Sequence, residues 1–208
     1  AKGSDFFFDL AAAIAGKKPG GPAKVAVVSS AMYGMISGSP TSDVVTTGSI
    51  TIPIMKRLGY KGTVAGAIEV AASTGGSLVP PVMGSAAFIM AEYTETPYRD
   101  IVLAAIIPAL LYYLGVFMQV HLRSFRFNLR PYEETVPALA ETIKQGWPYL
   151  VPIVAIITIL LAGYSPTYTA GVGTLAVIIG TALTKRTRMS LWDIVEGLAE
   201  TTTRVLPV

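Results

Sequence analysis

Two short apolar arms on either side of a polar tip constrain this chain more than any other feature. The arms run from Val25 to Ile36 and from Val44 to Met55, and the tip between them, Ser37 to Asp43, holds one glycine, one proline and four hydroxyl side chains. Extended to its basic end, each arm has about 15 residues. A helix of that length measures roughly 22 Å, which is short of the ~30 Å hydrocarbon core of a bilayer. Neither arm can cross a membrane alone.

Basic residues at both outer ends of the arms predict a re-entrant hairpin. Lys17, Lys18 and Lys24 precede the first arm, and Lys56, Arg57 and Lys61 follow the second. Because basic loops face the cytoplasm, both ends lie on the same side and the tip reaches toward the bilayer midplane. Unwound backbone at that depth has to be buried in protein or line a wet cavity. Its carbonyl and hydroxyl oxygens suit Na⁺, and the start of the second arm suits a carboxylate. The alternative is an ordinary polar loop between two helices in water.

The composition is that of a membrane protein. Of 208 residues, 52% are hydrophobic and 14% are charged, whereas a soluble domain carries about 25% charged residues. The chain has no cysteine and a single histidine, which excludes disulfides, thiolate chemistry and histidine-rich metal sites. No nucleophile–base pair or phosphate loop is present, so we expect no enzyme. The basic residues lie at the ends of apolar runs rather than in one patch, which indicates membrane topology and predicts no nucleic-acid partner.

We therefore expect an all-α membrane protein in four segments. Residues 1–19 form an interfacial helix, Phe6 to Ile14, and a loop, and residues 20–61 form the re-entrant hairpin. Residues 62–130 form a broken transmembrane helix and the transmembrane helix after it, Ile101 to Val120. Residues 131–208 form a surface helix, two transmembrane helices over 147–163 and 167–184, an interfacial stretch over 191–203 and the start of a further crossing.

The broken helix is predicted from Gly62 to Glu92, an apolar run interrupted at Ala72 to Pro81. The interruption holds two glycines and two prolines, which a continuous helix does not accommodate. We expect the break near mid-membrane, where it offers a second set of carbonyl and hydroxyl oxygens. The alternative is a spanning helix with a proline kink, which would not need Ser73, Thr74 and Ser77 as well.

The distribution of positive charge supports this topology. With the ends of the hairpin in the cytoplasm, only Arg99 of the sixteen lysines and arginines falls on the outer side, while Lys2 and Arg204 are undecided. Such an asymmetry is typical of a multi-pass membrane protein.

Several motifs of the chain resemble a known family. They are Gly20-Gly-Pro-Ala-Lys24, Gly34-Met-Ile-Ser-Gly-Ser39, Thr46-Thr-Gly-Ser-Ile-Thr-Ile-Pro53 and Ala71-Ala-Ser-Thr-Gly-Gly-Ser-Leu-Val-Pro-Pro81. These motifs look like the large membrane subunit of the tripartite ATP-independent periplasmic (TRAP) transporters, the DctM-like permeases. Glu69 and the runs Pro80–Gly84, Ala86–Glu92 and Pro108–Tyr113 resemble the fused-permease branch, which often works with TAXI-type binding proteins.

The resemblance implies a permease subunit that imports organic acids, C4-dicarboxylate-like or other carboxylates, with Na⁺ as the coupling ion and no other cofactor. It implies a periplasmic binding protein, TAXI-type in this branch, and a small membrane subunit or its fused equivalent as partners. The fold would be a polytopic elevator-type transporter with inverted repeats, in the cytoplasmic (inner) membrane of a bacterium or archaeon. The chain would then be partial, with the second repeat incomplete and its hairpin beyond Val208.

The candidate Na⁺ ligands are oxygen atoms of the tip and of the break. The residues that would supply them are Ser37, Gly38, Ser39, Ser42, Asp43, Ser73, Thr74, Gly75 and Gly76. Many relatives carry asparagine at the position of Asp43, so this aspartate either helps to hold a cation or is protonated. For each serine or threonine, helix-to-helix hydrogen bonding is the competing interpretation. Thr46, Thr47 and Gly48 are the candidate substrate contacts.

Three alternatives stay open at this stage. Glu69 is either a coupling group or a buried partner of a basic residue such as Lys61. The protein could also be a divalent-anion/Na⁺ symporter that needs no binding protein. A channel is a further alternative, because re-entrant loops also build selectivity filters. A second hairpin of opposite orientation in the same chain would favour the carrier over the channel.

Overall fold

Helices make up the whole of the regular structure in the part of the chain that the structure, a computed structural model, describes. That part comprises residues 2–16, 20–127 and 138–182 and positions 190, 192, 196, 197 and 199. The helices are α1 (Lys2–Ala15), α2 (Gly21–Ser37), α3 (Pro40–Thr46), α4 (Gly48–Arg57), α5 (Gly62–Gly76), α6 (Ser85–Tyr93), α7 (Tyr98–Arg126), α8 (Leu139–Gly146), α9 (Leu150–Leu161) and α10 (Pro166–Ala182). The all-α prediction is confirmed for these residues. Several predicted features lie outside them: Lys17, Lys18, Arg130, Lys185, Arg186, Arg188, segment 131–137 and most of 191–203.

The first helix, α1, packs against α2 and α8. It buries Phe6, Phe7 and Leu10 on one side and leaves Ile14 54% exposed. The ring of Phe6 fits because position 146 is a glycine, where a Cβ would lie 2.0 Å from that ring. The prediction of a helix here is confirmed, and its location at a membrane interface stays a prediction.

The first arm of the hairpin is α2, whose ends both fall at glycines in a left-handed conformation. Gly20 has φ 69°, and Gly38, at the other end, has φ 58° and donates its N–H to the carbonyl of Gly34. Glycine adopts this conformation without the steric cost that a Cβ brings. The 17 residues of α2 correspond to roughly 25 Å of helix, again less than the ~30 Å of a bilayer core.

The second arm begins earlier than the sequence predicts. We expected Ser37 to Asp43 to be unwound, but α3 already starts at Pro40, so most of the predicted tip is helical. Two local features explain the difference: proline needs no N–H partner in the first turn, and the Ser39 side chain accepts a hydrogen bond from the N–H of Ser42 as an N-cap. Thr47 is also right-handed helical, so α3 and α4 follow each other without a loop.

An irregular segment separates two helices in the region of the predicted broken helix, but it lies later in the chain than predicted. Helix α5 continues to Gly76, and α6 starts at Ser85, so the interruption covers 77–84 rather than the predicted 72–81. Alanine, serine and threonine are compatible with a helix, and Gly75 and Gly76 stay helical at a propensity cost of about 1 kcal/mol each, since close neighbours leave no room for a Cβ at either position. The prolines at 80 and 81, joined by a cis peptide bond, are what keep the helix from continuing.

Helices α2, α4, α5 and α7 share one core. Its buried residues are Ala23, Ala26, Val27, Met55, Tyr60, Ala65, Ile68, Ala72 and Val120. Four of these are alanines, and small side chains let membrane helices approach closely. Helix α7 has 29 residues and is apolar enough to cross a bilayer, with 17% of its most apolar window buried. Its open side carries large apolar side chains such as Ile107, Leu110 and Leu111.

A second compact unit begins at Trp147, and the structure describes its residues 147–182. A short 3-10 turn, Trp147–Tyr149, leads into α9, which packs against α10. The two helices come together at Gly173, where a Cβ would lie 2.9 Å from Ile156. By length and composition, the helical stretch Leu139–Leu161 is a second candidate membrane span among the described residues.

Candidate functional site at the hairpin tip

The tip of the hairpin meets the break of the discontinuous helix. The N–H of Val82 donates to the carbonyl of Met35 at 3.3 Å, and a Cβ built on Gly38 would lie 1.9 Å from the carbonyl oxygen of Met83. Gly38 is therefore required both for its positive φ and for this close approach. The two polar interruptions that the sequence predicts separately lie together in the fold.

Asp43, one turn into the second arm, is fully buried. Its Oδ1 accepts a hydrogen bond from the Ser37 hydroxyl, and that hydroxyl oxygen accepts one from the N–H of Ser39 at 3.1 Å. Among the residues that the structure describes, nothing donates to its Oδ2. A buried carboxylate oxygen without a donor is unfavourable unless a cation or a proton neutralises it. Asp43 Oδ2 is thus the open acceptor of this site.

Two glycines bring α2 and α5 into contact beside that oxygen. A Cβ on Gly34 would lie 2.4 Å from the Cα of Gly76, and a Cβ on Gly76 would lie 2.7 Å from Asp43 Oδ2. No side chain fits at either position without displacing the neighbouring helix. Gly76 is among the predicted ion-site residues, but Gly34 is not. The four-residue spacing of Gly34 and Gly38, which places two small residues on one face of a membrane helix, could have pointed to it.

A second buried carboxyl, Glu69 of α5, is surrounded by hydroxyl groups. Oε1 accepts hydrogen bonds from Ser30 at 3.0 Å, Thr47 at 2.5 Å and Ser73 at 3.4 Å, and Oε2 accepts one from Thr51 at 2.5 Å. In the described part of the chain, no lysine or arginine forms an ion pair with it. Among the described residues, Glu69 is thus held by hydroxyl groups and not by a basic residue such as Lys61, which was one of the two alternatives from the sequence.

Two neighbouring tyrosines of α7 hold the last turns of α5. The hydroxyl of Tyr112 donates to the carbonyl of Ala71 at 2.8 Å, and that of Tyr113 donates to the carbonyl of Ala72 at 2.7 Å. Their rings cover Gly75, where a Cβ would lie 2.6 Å from Tyr112 and 2.8 Å from Tyr113. This contact could not be predicted from the sequence, because a backbone carbonyl can accept a hydrogen bond whatever the residue type.

The predicted ion-site residues fall into two groups. Those that lie together at the tip are Ser37, Gly38, Ser39, Asp43 and Gly76. Ser42 and Thr74 are exposed, and the Thr74 hydroxyl donates to the carbonyl of Val70 in its own helix. The Ser73 hydroxyl is directed to Glu69, and Gly75 lies under the two tyrosines.

The predicted substrate residues also differ in their surroundings. Thr47 is 4% exposed, and its hydroxyl contacts Glu69 and the carbonyl of Asp43. Gly48 is buried, and a Cβ there would lie 3.0 Å from Glu69 Cγ. Thr46 is half-buried, which makes it the most open of the three.

The chemistry available at the tip is oxygen chemistry. No group of three histidine, cysteine, aspartate or glutamate residues able to hold a metal occurs among the described residues. Carboxylate, hydroxyl and carbonyl oxygens are the ligands of hard cations such as Na⁺ rather than of soft transition metals.

A helical hairpin whose tip meets the break of a second helix, beside a buried open carboxylate, is typical of helical secondary transporters. A sequence model of the family described as "Tripartite ATP-independent periplasmic transporter, DctM component" matches residues 1–208. The chain belongs to this family of TRAP transporter permeases, as its motifs predicted.

Curated relatives are consistent with this membership. The chain is 30% identical over 166 residues to the C4-dicarboxylate TRAP transporter large permease protein DctM of Pseudomonas aeruginosa, covering 79% of this chain and 38% of that protein. It is 24% identical over 204 residues to the 2,3-diketo-L-gulonate TRAP transporter large permease protein YiaN of Escherichia coli, covering 95% and 47%. It is 29% identical over 176 residues to the sialic acid TRAP transporter permease protein SiaT of Haemophilus influenzae, covering 83% and 28%. The chain thus spans less than half the length of these relatives.

Proposed function

We propose that this chain is part of the permease subunit of a Na⁺-coupled importer of organic acids in the cytoplasmic membrane of a bacterium or archaeon. A periplasmic binding protein of the TAXI type would deliver the substrate, and a small membrane subunit or its fused equivalent would complete the transporter. The family membership supports a transport role, and the names of the relatives range from C4-dicarboxylate to sialic acid permeases. We therefore propose the class of organic acids and no single compound.

The observation that carries Na⁺ coupling is the open oxygen of Asp43. A buried charge is tolerated when a counter-ion pairs with it, and Na⁺ accepts a carboxylate together with hydroxyl and carbonyl oxygens. The Ser37 hydroxyl bonds to the same carboxylate, and the carbonyls of Gly38 and Ser39 lie at the adjoining helix ends. We assign the ion to Asp43 and these neighbours, with Thr46 as the substrate contact.

The arms of the hairpin support a re-entrant rather than a spanning segment. Helix α2 and the second arm, residues 40–57, measure roughly 25 Å and 27 Å at 1.5 Å per residue, and both are shorter than the ~30 Å core of a bilayer. An elevator movement of this hairpin, with an inverted second repeat in the rest of the full-length protein, is part of the proposal.

Uptake of labelled organic acids into proteoliposomes tests the proposal. The full-length permease that contains this chain is reconstituted with its binding protein and with its small subunit if that is separate. We expect uptake that depends on an inward Na⁺ gradient. Asp43→Leu should abolish it, and Asp43→Asn should raise the half-saturating Na⁺ concentration by about tenfold, a loss of roughly 1.4 kcal/mol of ion binding.

Asp100→Asn is the matched control, because Asp100 is an exposed aspartate at the start of α7. This variant should transport like the wild type. Uptake that is unchanged without Na⁺ would refute the coupling ion. Uptake that is unchanged without the binding protein would favour the alternative, a divalent-anion/Na⁺ symporter that needs no binding protein.

A further inference from the structure

Glu69 joins both arms of the hairpin to α5. Its carboxyl contacts Ser30 on the first arm and Thr47 and Thr51 on the second. The side chain is fully buried, and the absence of a side chain at Gly48 lets it approach the second arm. One carboxyl group is thus the common hydrogen-bond partner of three helical segments.

The same hydroxyls connect Glu69 to the turn that carries Asp43. The Thr47 hydroxyl lies 2.7 Å from the carbonyl oxygen of Asp43 as well as 2.5 Å from Glu69 Oε1. The N–H of Thr47 donates to that same carbonyl at 2.8 Å. A displacement of Thr47 would therefore move the backbone of Asp43, and with it the oxygen that we assign to the ion.

The two buried carboxyls differ in what their oxygens have left to accept. Both oxygens of Glu69 already have hydroxyl partners, whereas Asp43 Oδ2 has none among the described residues. An ion ligand needs a free lone pair directed at the ion; in the described part of the chain, Asp43 Oδ2 keeps both of its lone pairs free, whereas Glu69 Oε1 accepts three hydroxyls and Oε2 accepts one. Groups that hydrogen-bond to a ligand orient it, and their removal typically weakens ion binding by 10–100-fold.

We propose that Glu69 is a positioning residue that holds Asp43 in place through Thr47, and that it does not itself bind the transported ion. This inference rests on the proposed Na⁺ site at Asp43. It decides against a direct coupling role for Glu69, the alternative that the sequence left open.

Na⁺ dependence of uptake in full-length variants separates the two roles. Glu69→Gln keeps the shape and an acceptor oxygen, so the half-saturating Na⁺ concentration should stay within about threefold of the wild type, with an unchanged Hill coefficient. Glu69→Ala removes the links to both arms and should raise that concentration by about tenfold or more. Glu92→Gln, the same change at an exposed carboxyl, should leave it unchanged.

Loss of Na⁺ dependence or a lower Hill coefficient in Glu69→Gln would overturn the positioning role in favour of a coupling role. An unchanged Na⁺ response in Glu69→Ala would overturn it as well, because the hydrogen bonds of Glu69 to the two arms would then not be needed for ion binding. If Glu69→Ala does not fold, Thr51→Val replaces it, since valine keeps the shape and removes the hydrogen bond to Oε2. Thr51→Val should raise the half-saturating Na⁺ concentration severalfold, and no change would count against the proposal.

Hydrogen–deuterium exchange measures whether Glu69 holds the second arm of the hairpin, independently of Na⁺. Amides of segment 40–57 should exchange about tenfold faster in Glu69→Ala than in the wild type, and at nearly the wild-type rate in Glu69→Gln. If the wild type shows no Na⁺ response, the proposed function fails, whereas this measurement still decides whether Glu69 holds the second arm. Equal exchange rates in all three proteins would show that Glu69 does not hold the second arm.

Discussion

Asp43 and Glu69 are fully buried carboxyl groups with opposite surroundings. Glu69 has hydroxyl partners on both oxygens, while one oxygen of Asp43 has no donor among the described residues. An isolated charge in a membrane interior is costly, so a side chain of this kind is kept only where something pairs with it. At the scale of single residues, Asp43 has an oxygen that is open to a ligand, whereas both oxygens of Glu69 already accept hydrogen bonds from the protein.

The glycine contact beside Asp43 gives a prediction at the same scale. Gly34→Ala places a Cβ 2.4 Å from the Cα of Gly76, and overpacking of this kind costs about 1–3 kcal/mol. We expect a lower melting temperature in detergent and loss of uptake. Gly66→Ala is the control, since a Cβ there meets no atom within 4 Å. A helical alanine should leave stability equal or higher by up to ~1 kcal/mol. Equal melting temperatures in the two variants would contradict the contact.

At the scale of elements, the helix ends build the site. Helix α2 stops at Gly38, α3 starts after the Ser39 cap, and α5 stops before the two prolines. These ends meet because the N–H of Val82 in the break bonds to Met35 of α2. Helix α7 supports the arrangement from the side through its two tyrosines. The polar groups therefore lie at element boundaries, where backbone oxygens are available.

Removal of one tyrosine hydroxyl tests the support from α7. Tyr113→Phe deletes the hydrogen bond to Ala72 and should lower the free energy of unfolding by about 0.5–1.5 kcal/mol. Tyr93→Phe is the control, because Tyr93 is 86% exposed. Denaturant unfolding of the two variants measures the difference. A loss of the same size in both would show that the bond to α5 contributes nothing specific.

At the scale of the whole molecule, the hairpin and the broken helix form one packed group with α7. Their shared core is rich in alanine, and α7 exposes a long apolar surface that suits lipid or other membrane helices. The charge bias of the sequence predicts that the outer ends of both hairpin arms lie on one side of the membrane.

Cysteine labelling of the full-length protein tests this topology. Membrane-impermeant reagents should label Ile14→Cys, before the hairpin, and Lys56→Cys, at its end, from the same face, since the hairpin turns back at its tip. Thr94→Cys, in the acidic loop after α6, should be labelled from the opposite face. All three positions are exposed. Labelling of positions 14 and 56 from opposite faces would mean that the hairpin crosses the membrane, and the carrier proposal would be lost.

Most of the helices could be predicted from the sequence, because the features that predict them lie close together in the chain. Apolar runs located the helices, and the proline pair at 80 and 81 predicted the interruption of the broken helix. The errors lie at helix ends. The unwound tip was predicted too long because Ser39 and Pro40 are also good helix starters. The break was predicted too early because Gly75 and Gly76 are helical, in a packing that leaves no room for a Cβ at either position.

The sequence by itself determined the helical class, the short arms, the family and the polar character of the tip, since each depends on neighbouring residues or on composition. Only the tertiary structure decided which oxygens are open. Thr47 and Ser73 were expected at the substrate and ion sites, yet their hydroxyls contact Glu69. Gly34 lies against Gly76, beside Asp43, only because α2 packs on α5. A hydroxyl or a carboxyl is available to a ligand only if the fold leaves it a free lone pair, and that depends on residues far apart in the chain.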